Sequence, residues 1–224
     1  MERAEDNDRV LLINKPFGWT SFDVVNKLRY RLKIKKIGHA GTLDPLATGL
    51  LIICSGKMTK RIEEFMGLEK EYTGKFVLGK STPSHDLETE VSEERDTSFL
   101  TADQIHGATH ALTGNISQLP PMHSAIRIGG KRAYQFARKG QEIDLKHREV
   151  EVTEFEITAI ALPEVSFRIV CSKGTYMRSI ARDFGNALSV GAYLTDLCRT
   201  RIGNFKLEDA LNIDDVVPGQ ASSG

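Results

Sequence analysis

The sequence predicts an α+β domain, on three observations. Short apolar runs bounded by turn residues read as buried strands, at Val10–Ile13 and Leu50–Cys54. Alternating stretches read as half-buried strands, at Tyr72–Gly79 and Val165–Cys171. Apolar stripes at helical spacing follow capping residues at Thr20 and Thr101. That mixture of strands and helices fits an α+β layer architecture.

Taken in order, Val10-Leu11-Leu12-Ile13 is stopped by Asn14-Lys15-Pro16 and a turn at Gly18. A helix follows, capped by Thr20 or Ser21, with Phe22, Val25, Leu28 and Leu32 on one apolar stripe. Between Lys27 and Lys36 stand six Lys or Arg residues and no acid, either a solvated helix face or a field sized for phosphate. This run leads straight into Gly38-His39-Ala40-Gly41-Thr42-Leu43-Asp44-Pro45-Leu46-Ala47-Thr48-Gly49. The Leu50–Cys54 strand comes next. Gly49 to Lys57 is not a phosphate-binding loop, since the strand lies inside it and Met58 stands where a hydroxyl is required.

Tyr72, Gly74, Phe76 and Leu78 share one face of the following strand, so the Tyr72 hydroxyl needs a partner and its ring packs either in the core or against a base. From Ser84 to Asp96 six acids oppose one arginine, a polar connector expected to face away from nucleic acid and to do no chemistry. Thr101-Ala102-Asp103-Gln104 is a capping box opening a helix through Leu112 that ends at Gly114. His106 and His110 are four apart on that helix, but without an acid and a third ligand no metal site is expected. Arg127 to Lys139 holds five cations and no acid, with Tyr134 and Phe136 interleaved, a composition suited to RNA.

Val150 and Val152 alternate on one parity and Phe155 and Ile157 on the other, which predicts a long strand with a bulge near Thr153–Glu154. A strand at Val165–Cys171 runs into Ser172–Thr175, where Thr175 is expected to cap a helix buried along Ile180, Ala181, Phe184 and Leu188. Arg178 then falls in the first helical turn, opposing the dipole by roughly 0.3–1 kcal/mol and calling for an anion. Tyr193–Ile202 is the last long strand, and Asn212–Val217 a final short element.

The 224 residues carry 40% hydrophobic content, enough for a real core, and a formal net charge of zero, so any nucleic-acid case rests on how charge is distributed. Cys54, Cys171 and Cys198 are far apart, which fits free thiols in a reducing cytoplasm. No apolar signal region opens the chain, and no run of about 18 apolar residues suggests a membrane span.

Asp44 is the candidate reactive group. The proline after it pushes its backbone toward extended geometry, three glycines allow tight turns, and Leu43, Leu46 and Leu50 can wall the acid with apolar surface. The competing reading makes Asp44 the cap of a short helical turn, with Pro45 as its first residue and Gly49 beyond its end.

The segment from Gly38 to Gly49 closely resembles the catalytic motif of the B-type pseudouridine synthases, the bacterial enzymes that convert uridine 55 of tRNA. Lys15-Pro16-Phe17-Gly18-Trp19-Thr20-Ser21, Glu69-Lys70-Glu71-Tyr72 with Gly79, Pro120-Pro121 through Tyr134-Gln135-Phe136-Ala137-Arg138, and Gly174-Thr175-Tyr176-Met177-Arg178 match in the family's order. The resemblance implies a pseudouridine-synthase-like catalytic domain over 10–217 with a mixed, mainly antiparallel central sheet, an RNA-contacting insertion around 81–147, and flexible tails at 1–9 and 218–224. It implies Asp44 as the catalytic residue, held ionised by Arg178, with His39, Tyr72, Tyr176 and Leu197 around the substrate. It places RNA backbone contacts at Lys15, Lys33, Lys35, Lys36, Arg127, Lys131, Arg132 and Arg199. It implies the tRNA T-arm as partner, no cofactor, no metal, no membrane and no evident obligate protein partner.

Three departures stand out. His123 and Arg127 replace the tyrosine and lysine of many relatives, and Cys198 replaces an arginine. The length leaves no room for the C-terminal PUA domain that many relatives carry, so affinity is expected to come from the catalytic domain. Two other functions would use the same residues. An RNA N-glycosidase would share the acid but release uracil, and a tRNA-binding factor would use only the basic face.

Overall fold

The computed structural model describes residues 7–122 and 145–217 and, between these, the backbone of two short strands. The chain runs β1 (Val10–Lys15), α1 (Ser21–Leu32), β2 (Ile37–Ala40), β3 (Thr48–Ser55), a 3₁₀ turn, α2 (Ile62–Gly67), β4 (Lys70–Leu78), β5 (Lys80–Ser81) and β6 (Glu93–Glu94). It continues through α3 (Ala102–His110), β7 (Gly114–Gln118), β8 (Arg127–Ile128), β9 (Lys131–Arg132), β10 (Arg148–Ala161) and β11 (Glu164–Cys171). The last elements are α4 (Met177–Ala187), β12 (Ala192–Ile202), β13 (Phe205–Lys206) and β14 (Leu211–Asn212). The architecture is α+β, and its strand pairs are mixed but mostly antiparallel. Among the described residues no helix is long and apolar enough to cross a membrane.

Residues fall into two compact units, Met1–Thr73 with Leu197–Gly224, and Gly74–Asp196, and strands β4 and β12 pass from one into the other. In the first unit β1 pairs antiparallel with β3 and parallel with β14, while β3 also takes β2 antiparallel and β12 parallel. The continuous apolar runs of β1 and β3 exist because both faces are covered. Leu11, Ile13, Leu51 and Ile53 pack with Val24, Val25, Leu28 and Leu32 of α1. Val10, Leu12, Leu50, Ile52 and Cys54 pack with Phe65 of α2 and Ile202. Each such side chain contributes about 1.5–3 kcal/mol by leaving water.

Helix α1 is opened by Thr20, one of its two expected caps, in a capping box with Asp23. Its stripe differs by one position. Phe22 is exposed and Val24 buried, because the inward place in the first turn goes to Ser21, whose hydroxyl bonds the Leu43 backbone. The expected flexible tail at 1–9 is corrected at its end: the Ser55 hydroxyl bonds both the Arg9 amide and the Asn7 carbonyl, and the Asp8 carboxylate accepts from the Lys57 amide.

In the second unit β10 pairs with β11 on one side and β7 on the other, all antiparallel. The expected bulge is present, since Val152 and Glu154 oppose Cys171 and Val170 and leave Thr153 unmatched. A second irregularity falls between Ile157 and Ala159. Phe76, Phe155, Phe167 and Phe184 form the aromatic core, with Phe76 and Phe167 stacked 4.1 Å apart. Helix α4 buries Ile180, Ala181, Phe184 and Leu188 as expected, but its cap is Tyr176. The Thr175 hydroxyl instead bonds the Ser172 carbonyl.

The acidic connector is only partly what its composition suggests. Thr82, Ser84 and Asp86 are buried, because Thr82 and Ser84 hydroxyls bond the Asp86 carbonyl and the Ser84 amide and hydroxyl meet Thr89. Local side-chain bonding to backbone thus folds a segment that charge alone would leave in solvent.

Candidate active site

Asp44 sits on a four-residue turn between β2 and β3, closed by the Ala47 amide donating to the Asp44 carbonyl at 3.1 Å. No helix forms, and Gly49 lies within β3, so the helical-cap reading of this segment is set aside. Three tethers fix the turn from within the first unit. On the N-terminal side, Ser21 Oγ donates to the Leu43 carbonyl and accepts from the Leu43 amide, at 3.1 and 2.9 Å. At the turn itself, the Pro45 carbonyl accepts from the Gly18 amide at 2.9 Å and from Lys15 Nζ at 3.3 Å. Behind it, Arg199 donates from Nε to the Leu50 carbonyl and from Nη2 to the Gly41 carbonyl, at 2.8 and 3.1 Å. Asp44 itself is half-buried on this pinned backbone.

Lys15 and Arg199 require a correction. Both were expected at the RNA backbone, yet they are 0% and 1% exposed. The Lys15 ammonium also donates to the Pro16 and Trp19 carbonyls, so all three of its protons face backbone oxygen and none is left for a phosphate. Burial pushes the Lys15 ammonium down to about 8, with the Asp44 charge pulling the other way and the Arg199 charge adding to the fall. A cationic floor therefore lies beneath the turn.

His39, on β2, has its Nδ1 buried without a partner among the described residues. Burial, and then the Arg199 guanidinium, lower its pKa against the pull of a hydrogen bond to the Gly41 backbone, so the ring is neutral near pH 7. Tyr72 is buried on the inner face of β4, and Leu197 is buried on β12, where its carbonyl accepts from the Thr48 hydroxyl at 3.4 Å. Lys33, Lys35 and Lys36 are exposed after α1. Arg127, Lys131 and Arg132 lie where only backbone is described: β8 and β9 pair antiparallel, with Arg127 opposite Arg132, and their side chains, like His123, Tyr134 and Phe136, are outside the described residues.

Tyr176 and Arg178 belong to the second unit. The Gln118 side chain accepts from the Tyr176 amide at 2.8 Å and donates to the Tyr176 carbonyl at 3.3 Å, so a fully buried amide holds the start of α4. The Arg148 guanidinium lies over the Tyr176 ring, 5.3 Å from its centroid. Arg178 is 4% exposed, and its Nε lies 3.6 Å from the Asp86 carboxylate. Asp86 is thus an anion for the first-turn arginine that composition hid among solvated acids. Beside it, burial and then the Arg182 and Arg178 charges push the His85 imidazole down to about 4. Among the described residues no group of three or more His, Cys, Asp or Glu side chains could hold a metal ion.

The roles of Ser21, Gln118 and Asp86 escaped the sequence reading. Ser21 and Gln118 act through backbone partners 22 and 58 residues away, which no local spacing encodes. The motif Lys15–Ser21 did signal that this segment matters, without saying how.

Residues 29–177 match the family model described as TruB family pseudouridylate synthase, N-terminal domain. The chain is 52% identical over 212 residues to a curated protein named tRNA pseudouridine synthase B from Flavobacterium johnsoniae, covering 92% of this chain and 93% of that one. The chain belongs to the TruB family of pseudouridylate synthases. A second TruB relative, from Chlorobaculum tepidum, bears the same name and is 47% identical over 96% of this chain and 91% of its own. Among solved structures, a Cbf5–Nop10–Gar1 complex matches with TM-score 0.74 and 29% identity over 96% of this chain. An H/ACA RNP bound to a substrate RNA containing 2′-deoxyuridine matches with TM-score 0.69 and 28% identity over 92%. This chain spans about half the length of those two chains, 55% and 51%. The TruB match takes in Asp44, Tyr72 and the start of α4.

Proposed function

We propose that the protein isomerises uridine 55 in the T-loop of tRNA to pseudouridine in the cytoplasm, with Asp44 as the essential catalytic residue. The observation that carries this reading is the turn at Asp44, pinned on three sides by Ser21, Lys15 and Arg199 while Asp44 itself is only half-buried. The names of the curated relatives support tRNA as substrate. Residues 10–217 are read as one catalytic domain with an RNA-contacting insertion around 81–147.

The target uridine leaves the base stack, since its C1′ and C5 are out of reach within it. His39, uncharged, fills the vacated space. Asp44 acts at C1′ or on the uracil ring as the N1–C1′ bond breaks, because charge develops at the anomeric carbon as in glycoside hydrolysis. Uracil turns against the Tyr72 ring, and C5 bonds to C1′. C5 loses a proton and N1 gains one, so the product has the atoms of the substrate and the reaction calls for no cofactor. Leu197 keeps out the water that would turn isomerisation into base loss. Lys33, Lys35 and Lys36 hold phosphates, as do Arg127, Lys131 and Arg132 from the insertion.

Digesting treated tRNA to nucleosides, with every uridine mapped, tests the reading. Pseudouridine at position 55 without free uracil is expected. Free uracil with abasic sites would make the protein an N-glycosidase, and unchanged tRNA would make it a binding factor.

A further inference from the structure

Three of the four exposed aromatic side chains among the described residues, Phe17, Phe22 and Tyr30, fall within 14 residues of one another, the fourth being Phe99. Phe22 and Tyr30 are 58% and 87% exposed on the solvent face of α1, at positions i and i+8. Asn26 and Arg29 complete the same stripe at i+4 and i+7, the spacing of one helical face, and Lys33 follows as the left-handed C-cap of α1. The stripe is organised before any partner arrives. Arg29 lies over the Phe22 ring, 5.8 Å from its centroid, and donates to Asn26 Oδ1 at 2.6 Å. Arg31 turns aside to Asp214, and Asp23 is held in the capping box. Lys27 on α1 and Lys33, Lys35 and Lys36 just after it are exposed.

A single exposed aromatic needs no explanation, because most folded surfaces carry some. Two on one face, one of them under a guanidinium and both inside a field of cations, match what single-stranded nucleic acid requires: flat platforms for bases and charge for the backbone. The stripe also starts beside the catalytic loop. Ser21, the first residue of α1, bonds Leu43, and from there Phe22 to Tyr30 span about 12 Å of helix.

We propose that the outer face of α1 is a stacking platform for unpaired nucleotides of the substrate RNA, with Phe22 and Tyr30 each taking a base and Lys27, Lys33 and the Phe22-stacked Arg29 taking the intervening phosphates. This rests on the proposed function for the identity of the RNA, and extends it by assigning a second subsite away from Asp44. Exposed rings leave the core untouched when removed, so the substitutions below test binding and not folding.

The test uses the full chain. In Tyr30→Trp the new indole is expected to be quenched by a single-stranded RNA oligonucleotide and far less by a duplex of equal charge, after subtraction of the wild-type Trp19 signal. Phe22→Ala with Tyr30→Ala is expected to weaken tRNA binding roughly tenfold or more, with Tyr30→Trp restoring most of its share. Equal quenching by duplex and single strand, or unchanged tRNA affinity in the double variant, would overturn the platform. The latter result would point to a protein partner for this face. Conversion of tRNA by the wild-type protein is read alongside. If that conversion is absent while the oligonucleotide still quenches, it is the proposed function that fails and not the platform.

Discussion

Around Asp44, hydrogen bonds to the backbone on either side set the position of the proposed reactive group. Ser21 contributes one hydroxyl that serves both the amide and the carbonyl of Leu43. Ser21→Ala strips partners from both groups in a buried place, and a loss of about 1–3 kcal/mol in denaturant unfolding is expected, with a lower turnover number. Lys15 offers a sharper check. Its folded-state pKa, about 8, lies below the ordinary lysine value of 10.5. As pH rises through about 8 the ammonium loses a proton and Asp44 loses its nearby countercharge, so turnover is expected to fall. Stability moves the other way. Between about 8 and 10.5 the unfolded chain holds a proton that the folded chain has released, so this group adds stability with rising pH. A pH–rate profile beside thermal melts over that window separates the two. The turn that carries Asp44 was legible in the sequence because Gly and Pro bracket it, whereas Lys15 and Arg199 read as surface cations since nothing local reveals that their donors meet carbonyls 30 and 158 residues away.

Among the elements, β3 and β12 meet where the turn returns to the sheet. Arg199 pairs in register with Gly49, whose φ is +101°, and a Cβ there would lie 2.7 Å from the Arg199 amide nitrogen and closer still to its carbonyl. Gly49→Ala is expected to cost roughly 3 kcal/mol or more, read as a lower unfolding midpoint, because both the backbone angle and the contact resist it. At the start of α4, Gln118→Ala removes the side-chain amide that holds Tyr176, and Gln118→Glu keeps the acceptor but not the donor. Turnover is expected to fall in the first and to recover partly in the second. Strands β1, β3, β4, β11 and β12 and the capped helices were legible because period, caps and breakers agree there. The stripe of α1 was misread by one position because a hydrogen-bonding serine outcompetes a phenylalanine for the inward place, and hydrophobicity alone ranks them the other way.

Over the whole molecule a net charge of zero conceals strong asymmetry: six cations without an acid between Lys27 and Lys36, against six acids and one arginine from Ser84 to Asp96. Partner affinity should therefore fall steeply with salt despite neutrality. Replacing Lys33, Lys35 and Lys36 together by alanine is expected to flatten the slope of log affinity against log salt by about two to three. The α+β class was legible from strand and helix patterns, but the division at Thr73 and Leu197 was not, since both points fall inside continuous strands that no composition shift marks. The proposed function rests on one acid, and replacing it tests the whole reading. Asp44→Asn alters no carbon skeleton and should bind a T-arm hairpin with near wild-type affinity while forming no pseudouridine. Conversion surviving in that variant would show that the chemistry lies elsewhere.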